Sequence, residues 1–208
     1  WVLLPFFNAV AFYDLDGASL TVSVKDAPGG TVVDTRTVDL QEPPIDWYEW
    51  LFSPITARRK VVLTGFVPYP DAELTITITA ASGNVGCGQI SIGDYRPLIG
   101  DAEWGGTLQG AAAEPFTYSY IKTDGFGRTE IKRRHSATNL SVRVAMPRES
   151  ADLALASVQE VLDVPACWIA TDTPGYAGLN VYGLGSGSVT YDDPPLTATF
   201  TLNVRGFI

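Results

Sequence analysis

The chain has 208 residues, 46% hydrophobic and 18% charged, a globular rather than a disordered composition and enough for one large or two small domains. A formal net charge of −9 argues against nucleic acid or an anionic membrane as the main partner, because phosphate binding needs a basic face. No apolar run is long enough to span a bilayer, and two cysteines, Cys87 and Cys167, are too few for a disulfide framework; both are expected as buried free thiols.

The chain opens Trp1-Val-Leu-Leu-Pro-Phe-Phe, with neither a start methionine nor a charged leader, and is expected to enter its fold part-way. Asp14-Leu-Asp16-Gly17 reads as a turn after Phe12-Tyr13. Leu20, Val22 and Val24 alternate with Thr21 and Ser23, and Pro28-Gly29-Gly30 is the next turn. Strands are predicted over 31–40 and 60–66, and again where Leu74, Ile76 and Ile78 alternate with Thr75, Thr77 and Thr79. Ser82-Gly83-Asn84 turns into a glycine-rich strand ending at Gly93, where glycines suggest a bulge or close backbone packing. Period-two alternation with β-branched residues and regular turns predicts an antiparallel sandwich over residues 1–99. Residues 41–56 break the pattern with Pro43, Pro44, Trp47, Tyr48, Trp50, Phe52 and Pro54, and read as a long connection with a short helical turn.

Residues 100–110 are small, polar and glycine-rich, the composition of a linker. The second half, 111–208, starts with a strand over 116–123, a hairpin turn at Asp124-Gly125-Phe126-Gly127, a return over 128–135 and a strand over 139–146. A helix is predicted over 151–162, with Ser150 as N-cap and Ala151, Leu155, Val158 and Leu162 as its apolar stripe, ended by Asp163-Val164-Pro165. Strands follow over 166–170 and 178–191, the latter interrupted by Gly183, Gly185 and Gly187. In the last strand Leu196, Ala198, Phe200, Leu202, Val204 and Ile208 share one face. The predicted fold class is all-β with one α-helix, in two β-sandwich domains.

Chemistry is sparse. His135 is the single histidine, and Ser136 beside it would point to the opposite face of a strand, so no nucleophile–base pair is predicted. Asp14 and Asp16 could offer two oxygens to calcium, but no fuller ligand loop follows. Asp46, Glu49 and Glu103 lie near tryptophans, without a spacing that predicts a glycosidase pair. No catalytic residue, metal ligand or cofactor is assigned. Trp47, Tyr48 and Trp50 are the candidate carbohydrate-binding residues, because sugars stack on exposed aromatic faces. The competing reading is that they cap the sandwich or fill an interface, and Trp104 reads the same way. Arg58-Arg59-Lys60 and Lys132-Arg133-Arg134 sit beside predicted strands, where such charges guard edges or pair between subunits.

Asn8-Ala-Val-Ala-Phe-Tyr-Asp-Leu-Asp-Gly-Ala-Ser-Leu-Thr-Val-Ser-Val, Asp46-Trp-Tyr-Glu-Trp-Leu-Phe-Ser-Pro-Ile and Val85-Gly-Cys-Gly-Gln-Ile-Ser-Ile-Gly resemble the tail-tip or baseplate structural proteins of long-tailed, non-contractile bacteriophages. Tyr120-Ile-Lys-Thr-Asp-Gly-Phe-Gly-Arg-Thr, Val164-Pro-Ala-Cys-Trp-Ile and Val181-Tyr-Gly-Leu-Gly-Ser-Gly extend the resemblance over most of the chain. No single motif is catalytic; order and spacing carry the likeness. The resemblance implies a galactose-binding-like jelly roll joined to a β domain similar to those of tail-tube and distal tail proteins. It also implies more sequence upstream than this chain carries. The expected function is a non-enzymatic virion component of the tail tip, homo-oligomeric, assembled with the hub and distal tail ring, with host-surface glycan contact by the first half. The alternative from a different class is a carbohydrate-binding module of a secreted or cell-surface protein.

Overall fold

The computed structural model describes residues 6–41, 46–52, 57–80, 83–100, 103–171, 175–191 and 196–207, the side chains of Glu49 and Trp50 apart. The chain divides into two compact units, Trp1–Tyr95 and Arg96–Ile208, built mostly of β-strands.

The first unit holds β1 (Ala9–Asp16), β2 (Ser19–Lys25), β3 (Val32–Asp39), β4 (Lys60–Thr64), β5 (Glu73–Thr79) and β6 (Gly86–Gly93), with helix α1 (Trp47–Phe52) between β3 and β4. They form two three-stranded antiparallel sheets, ordered β4-β1-β6 and β3-β2-β5. Alternation assigns the faces: Leu20, Val22 and Val24 are buried, while Thr21 and Ser23 turn outward. The β2 residues share one core with Val10, Phe12 and Leu15 of β1 and with Phe7, Leu40, Val61 and Phe66. Both sheets thus feed one hydrophobic layer, the arrangement of a sandwich. Cys87 and Cys167 form no disulfide and are half-buried rather than buried as expected; the Cys87 thiol donates to the Gln89 carbonyl at 3.4 Å, and burial pushes its pKa up.

The turn predicted at Asp14 to Gly17 is instead the end of β1, and the chain turns at Gly17-Ala18. Strict alternation from Val10 and Phe12 would aim Asp14 into the core. Asp14 adopts a left-handed backbone, φ 53°, which reverses the alternation. Leu15 enters the core, and the Asp14 carboxylate stays outside, 3.5 Å from the Arg59 guanidinium. Gly88 lies alongside: a Cβ there would sit 3.0 Å from that of Asp14. A β-branched residue is poorly tolerated in this backbone region, so Asp14→Val is expected to destabilise the unit by about 2 kcal/mol. Asp14→Gly should stay within about 0.5 kcal/mol, because relief of the backbone offsets the looser unfolded chain. Urea midpoints of the two variants check this; equal losses would mean that the carboxylate, not the backbone, matters.

Three polar straps fasten the sandwich. Arg36 of β3 donates to the Thr64 carbonyl at 2.6 Å and the Gly65 carbonyl at 3.0 Å, and its guanidinium lies 4.1 Å from the centre of the Phe66 ring. Because β3 and β4 are edge strands of opposite sheets, Arg36 closes one open seam. Lys25 and Glu73 pair at 2.8 Å between β2 and β5. The Glu73 carboxylate also accepts the Gly29 N–H at 2.7 Å. The Lys25 hydrogen bond first, and the Gly29 amide second, hold the Glu73 pKa below the usual carboxylate range. Finally, the Asn8 side-chain amide donates to Asp94 at 2.8 Å and to the Tyr95 carbonyl at 3.1 Å, joining the entry of the unit to its exit.

The second unit holds β7 (Gly106–Thr107), β8 (Ala112–Thr117), β9 (Tyr120–Thr123), β10 (Thr129–Lys132), β11 (Ser136–Pro147), helix α2 (Arg148–Glu160), β12 (Ala166–Ile169), β13 (Asn180–Tyr191) and β14 (Thr197–Gly206). The sequence suggests a second sandwich; the described residues instead form a two-stranded ladder of β9 and β10 and a separate six-stranded sheet, ordered β12-β13-β14-β11, with β7 and β8 both on the outer edge of β11. Its second layer is α2. Leu140, Val142, Val144 and Met146 of β11 and Ala198, Phe200, Leu202 and Val204 of β14 share a core with Ala151, Ala154 and Val158 of the helix. Residues 100–110, expected as a linker, belong here in part, since Gly106-Thr107 pair with Val144 and Ala145.

The helix starts earlier than the sequence suggests. β11 runs straight into α2 at Arg148, Pro147 sets the entry at φ −58°, and Ser150 lies in the first turn rather than at the cap. Leu162 falls beyond the helix and is exposed. Leu196, expected on the buried face of the last strand, precedes β14 and is exposed; Ile208 lies outside the described residues.

The glycines of β13 do not interrupt the strand; they make room on it. Trp168 of β12 donates its indole N–H to the Gly183 carbonyl at 3.1 Å, and its ring fills the space that a Gly185 side chain would take. The Phe200 ring does the same at Gly187. At Gly183 the neighbour is backbone: a Cβ would lie 2.8 Å from Gly206 Cα and overlap the Arg205 carbonyl. Gly206 is in turn packed against the Thr138 carbonyl of β11.

Candidate functional site

Two surface features stand apart from this framework, one in each unit. The first is α1. Its Trp47 and Tyr48 are 72% and 60% exposed, and Leu51 and Phe52 are exposed with them. Five of its six residues are apolar or aromatic, and the four whose side chains are described are all exposed, so α1 does not read as an amphipathic helix lying on a core. The Trp47 and Tyr48 rings meet edge to face, 83° apart, and the Tyr48 and Phe52 rings lie 4.9 Å apart. The arrangement is a corner of aromatic faces rather than one flat platform. The Trp50 side chain, the third residue of the predicted sugar site, lies outside the described residues.

The second feature is the β9–β10 hairpin. Thr117 pairs with Ser136 at the end of the β8–β11 ladder. Beyond that pair Tyr118 donates to the His135 carbonyl and the Arg134 amide donates to Ser119 Oγ. The register slips by one residue here, and the two strands continue as a separate ladder from Tyr120–Lys132 to Thr123–Thr129. β9 and β10 form a sheet of their own, and every residue from 120 to 136 is exposed. The paired part of the arm, from Tyr120 to Thr123, spans about 10 Å at the usual strand rise, and the turn lies beyond it.

Its tip is tightly built. Asp124 Oδ1 accepts the Phe126 amide at 2.9 Å and the Arg128 amide at 3.0 Å. Gly127 takes φ 79°, which only a glycine adopts at little cost. These bonds hold Phe126 at the apex, 94% exposed. One face of the ladder carries Ile121 and Ile131, paired directly and both exposed. The other carries Tyr120, Lys122, Glu130 and Lys132. At the arm's base Tyr118, Arg133, Arg134 and His135 line an open concavity.

The remaining expected sites are dispersed. Arg59 pairs with Asp14, and no cluster of three or more His, Cys, Asp or Glu able to hold a metal occurs among the described residues. Among the described residues no helix is long and apolar enough to cross a membrane. Trp104 is 47% exposed. The sequence signals the tip through Asp124-Gly125-Phe126-Gly127, but not that the hairpin leaves the sheet. The signal that could have found it is the density of Lys122, Arg128, Lys132, Arg133 and Arg134 in an otherwise acidic chain. The chain matches no model of a known protein family, no curated protein and no solved structure.

Proposed function

We propose that the chain is a non-enzymatic structural component of a phage tail tip or baseplate, in which the second unit makes subunit contacts around the tail hub. The observation that carries the reading is the β9–β10 arm: a hydrogen-bonded hairpin, exposed on both faces, that ends in an exposed phenylalanine. An isolated two-stranded hairpin is marginal in water, so such an arm fits a protein that works in an assembly. The ordered set of motifs quoted above, which spans both units, supports the phage context. In this reading the first unit is the galactose-binding-like jelly roll, the second is the distal-tail-like domain, and the partners are the hub, the distal tail ring and further copies of the chain.

Light scattering on the purified chain, alone and mixed with the hub and distal tail proteins of a phage tail, tests the proposal. A closed oligomer, or a ring that forms with those proteins, is the expected result. A monomer in every mixture overturns it.

One observation favours a second reading, glycan binding by the first unit: Trp47 and Tyr48 present their rings to solvent. Trp47→Ala is then expected to weaken glycan binding about tenfold, as loss of a stacking aromatic does at other binding surfaces. Titration of a panel of bacterial surface glycans into both chains checks it, and no binding by the parent chain removes this reading.

A further inference from the structure

We infer that the β9–β10 arm docks on the acidic body of a second copy of this chain. The inference deepens the assembly reading above and rests on its homo-oligomer, not on its phage context. It names the surface that makes the contact and the surface that receives it.

The first argument is charge. Residues 119–135 carry five Lys or Arg against two acids, Asp124 and Glu130, a net +3. The rest of the chain carries nine basic residues against twenty-one acidic ones, a net −12. The arm thus gathers five of the chain's fourteen basic residues in an acidic molecule, Arg58-Arg59-Lys60 being the other basic run. Copies of the body repel one another, whereas arm and body attract. The body also offers acids near the surface of the arm's own unit: Glu149, Asp152 and Glu160 are exposed along α2.

The second argument is shape and apolar content. Basic residues on edge strands can serve merely to prevent sheet-to-sheet pairing. That role does not require Phe126, nor the two Asp124 hydrogen bonds that fix its position. Nor does it require Ile121 and Ile131 side by side on one face. A rigid aromatic tip with an apolar stripe behind it and cations around it is the composition of an interface anchor with a charged rim. Arm-on-body contact is heterologous, since the two surfaces differ, so it propagates head to tail and closes into a ring if the rotation allows.

The test uses the full chain and three variants: Phe126→Ala, the pair Ile121→Ser with Ile131→Ser, and the pair Lys122→Glu with Lys132→Glu. Sedimentation equilibrium at low and high salt gives each self-association constant, and the thermal midpoint checks folding. The arm residues lie outside both cores, so the midpoint should not move. The parent chain is expected to self-associate, less so at high salt. Phe126→Ala should weaken association about tenfold or more, and the two pairs should weaken it further. Oligomers of unchanged strength in all three variants overturn the inference and leave the assembly reading standing. A parent chain that stays monomeric alone, yet forms rings with hub proteins, also overturns it. Binding to a polyanion such as heparin without self-association does so as well.

Discussion

Gly183→Ala is expected to destabilise the second unit by about 3 kcal/mol or more, the upper range for overpacking a site that cannot yield. The added methyl would lie 2.8 Å from Gly206 Cα and overlap the Arg205 carbonyl, so no side-chain rotation can relieve it. Only separation of β13 from β14 makes room, and these two strands pair over nine consecutive residues, from Gly183–Gly206 to Tyr191–Ala198. Separation would also displace the carbonyl that accepts the Trp168 indole N–H. For a unit of this size the loss corresponds to a fall in melting temperature of roughly 15 °C. Gly178→Ala is the comparison: a Cβ there meets nothing within 4 Å, so the change should be neutral or slightly stabilising. Differential scanning calorimetry of both variants checks the pair. Equal melting temperatures would mean that the strands relax around the methyl.

Removal of the Arg36 side chain should cost the first unit about 2 kcal/mol. Two backbone carbonyls, Thr64 and Gly65, lose a charged donor at once, and the Phe66 ring loses the cation above it. The figure is held to the low end because the side chain keeps 31% of its accessible surface, so water partly replaces what is lost. Arg36→Lys should recover less than half of the loss. A single ammonium cannot bond both carbonyls in the fork geometry while keeping the ring stacked. Guanidinium chloride titrations of the two variants decide between a bidentate strap and a simple charge. Full rescue by lysine would mean that charge alone matters.

The fold was legible wherever one face of an element is buried and the other is not. β2 and β14 alternate cleanly in sequence and in burial, and α2 declares itself through Ala151 and Val158. The end of β1 was not legible, because Asp14-Leu-Asp16-Gly17 carries the composition of a turn. One left-handed residue lets the strand continue, and nothing in composition distinguishes the two cases. The glycines of β13 looked like interruptions because sequence does not say what fills the space they leave. That space is taken by Trp168 and Phe200, the latter on another strand paired to it in the ladder. The arm was legible as a hairpin and not as an arm: alternation assigns residues to two faces, but whether either face is covered depends on a third element. Of the aromatic site, the residue types were legible, whereas the edge-to-face angle of Trp47 and Tyr48 follows from backbone geometry that no local pattern encodes.

The Asn8 clamp has a mechanical consequence. Ala9 at the start of β1 lies opposite Gly93 at the end of β6, in antiparallel register. Tension applied through the two ends of the first unit would therefore open that ladder one rung at a time rather than load all its hydrogen bonds together. The resistance at the first rung comes from Asn8, which holds Asp94 and Tyr95 and whose own carbonyl accepts the Phe66 amide. Once that corner yields, little opposes the peeling of β6 from β1. A unit wired in this way would lengthen under pull rung by rung rather than in one step.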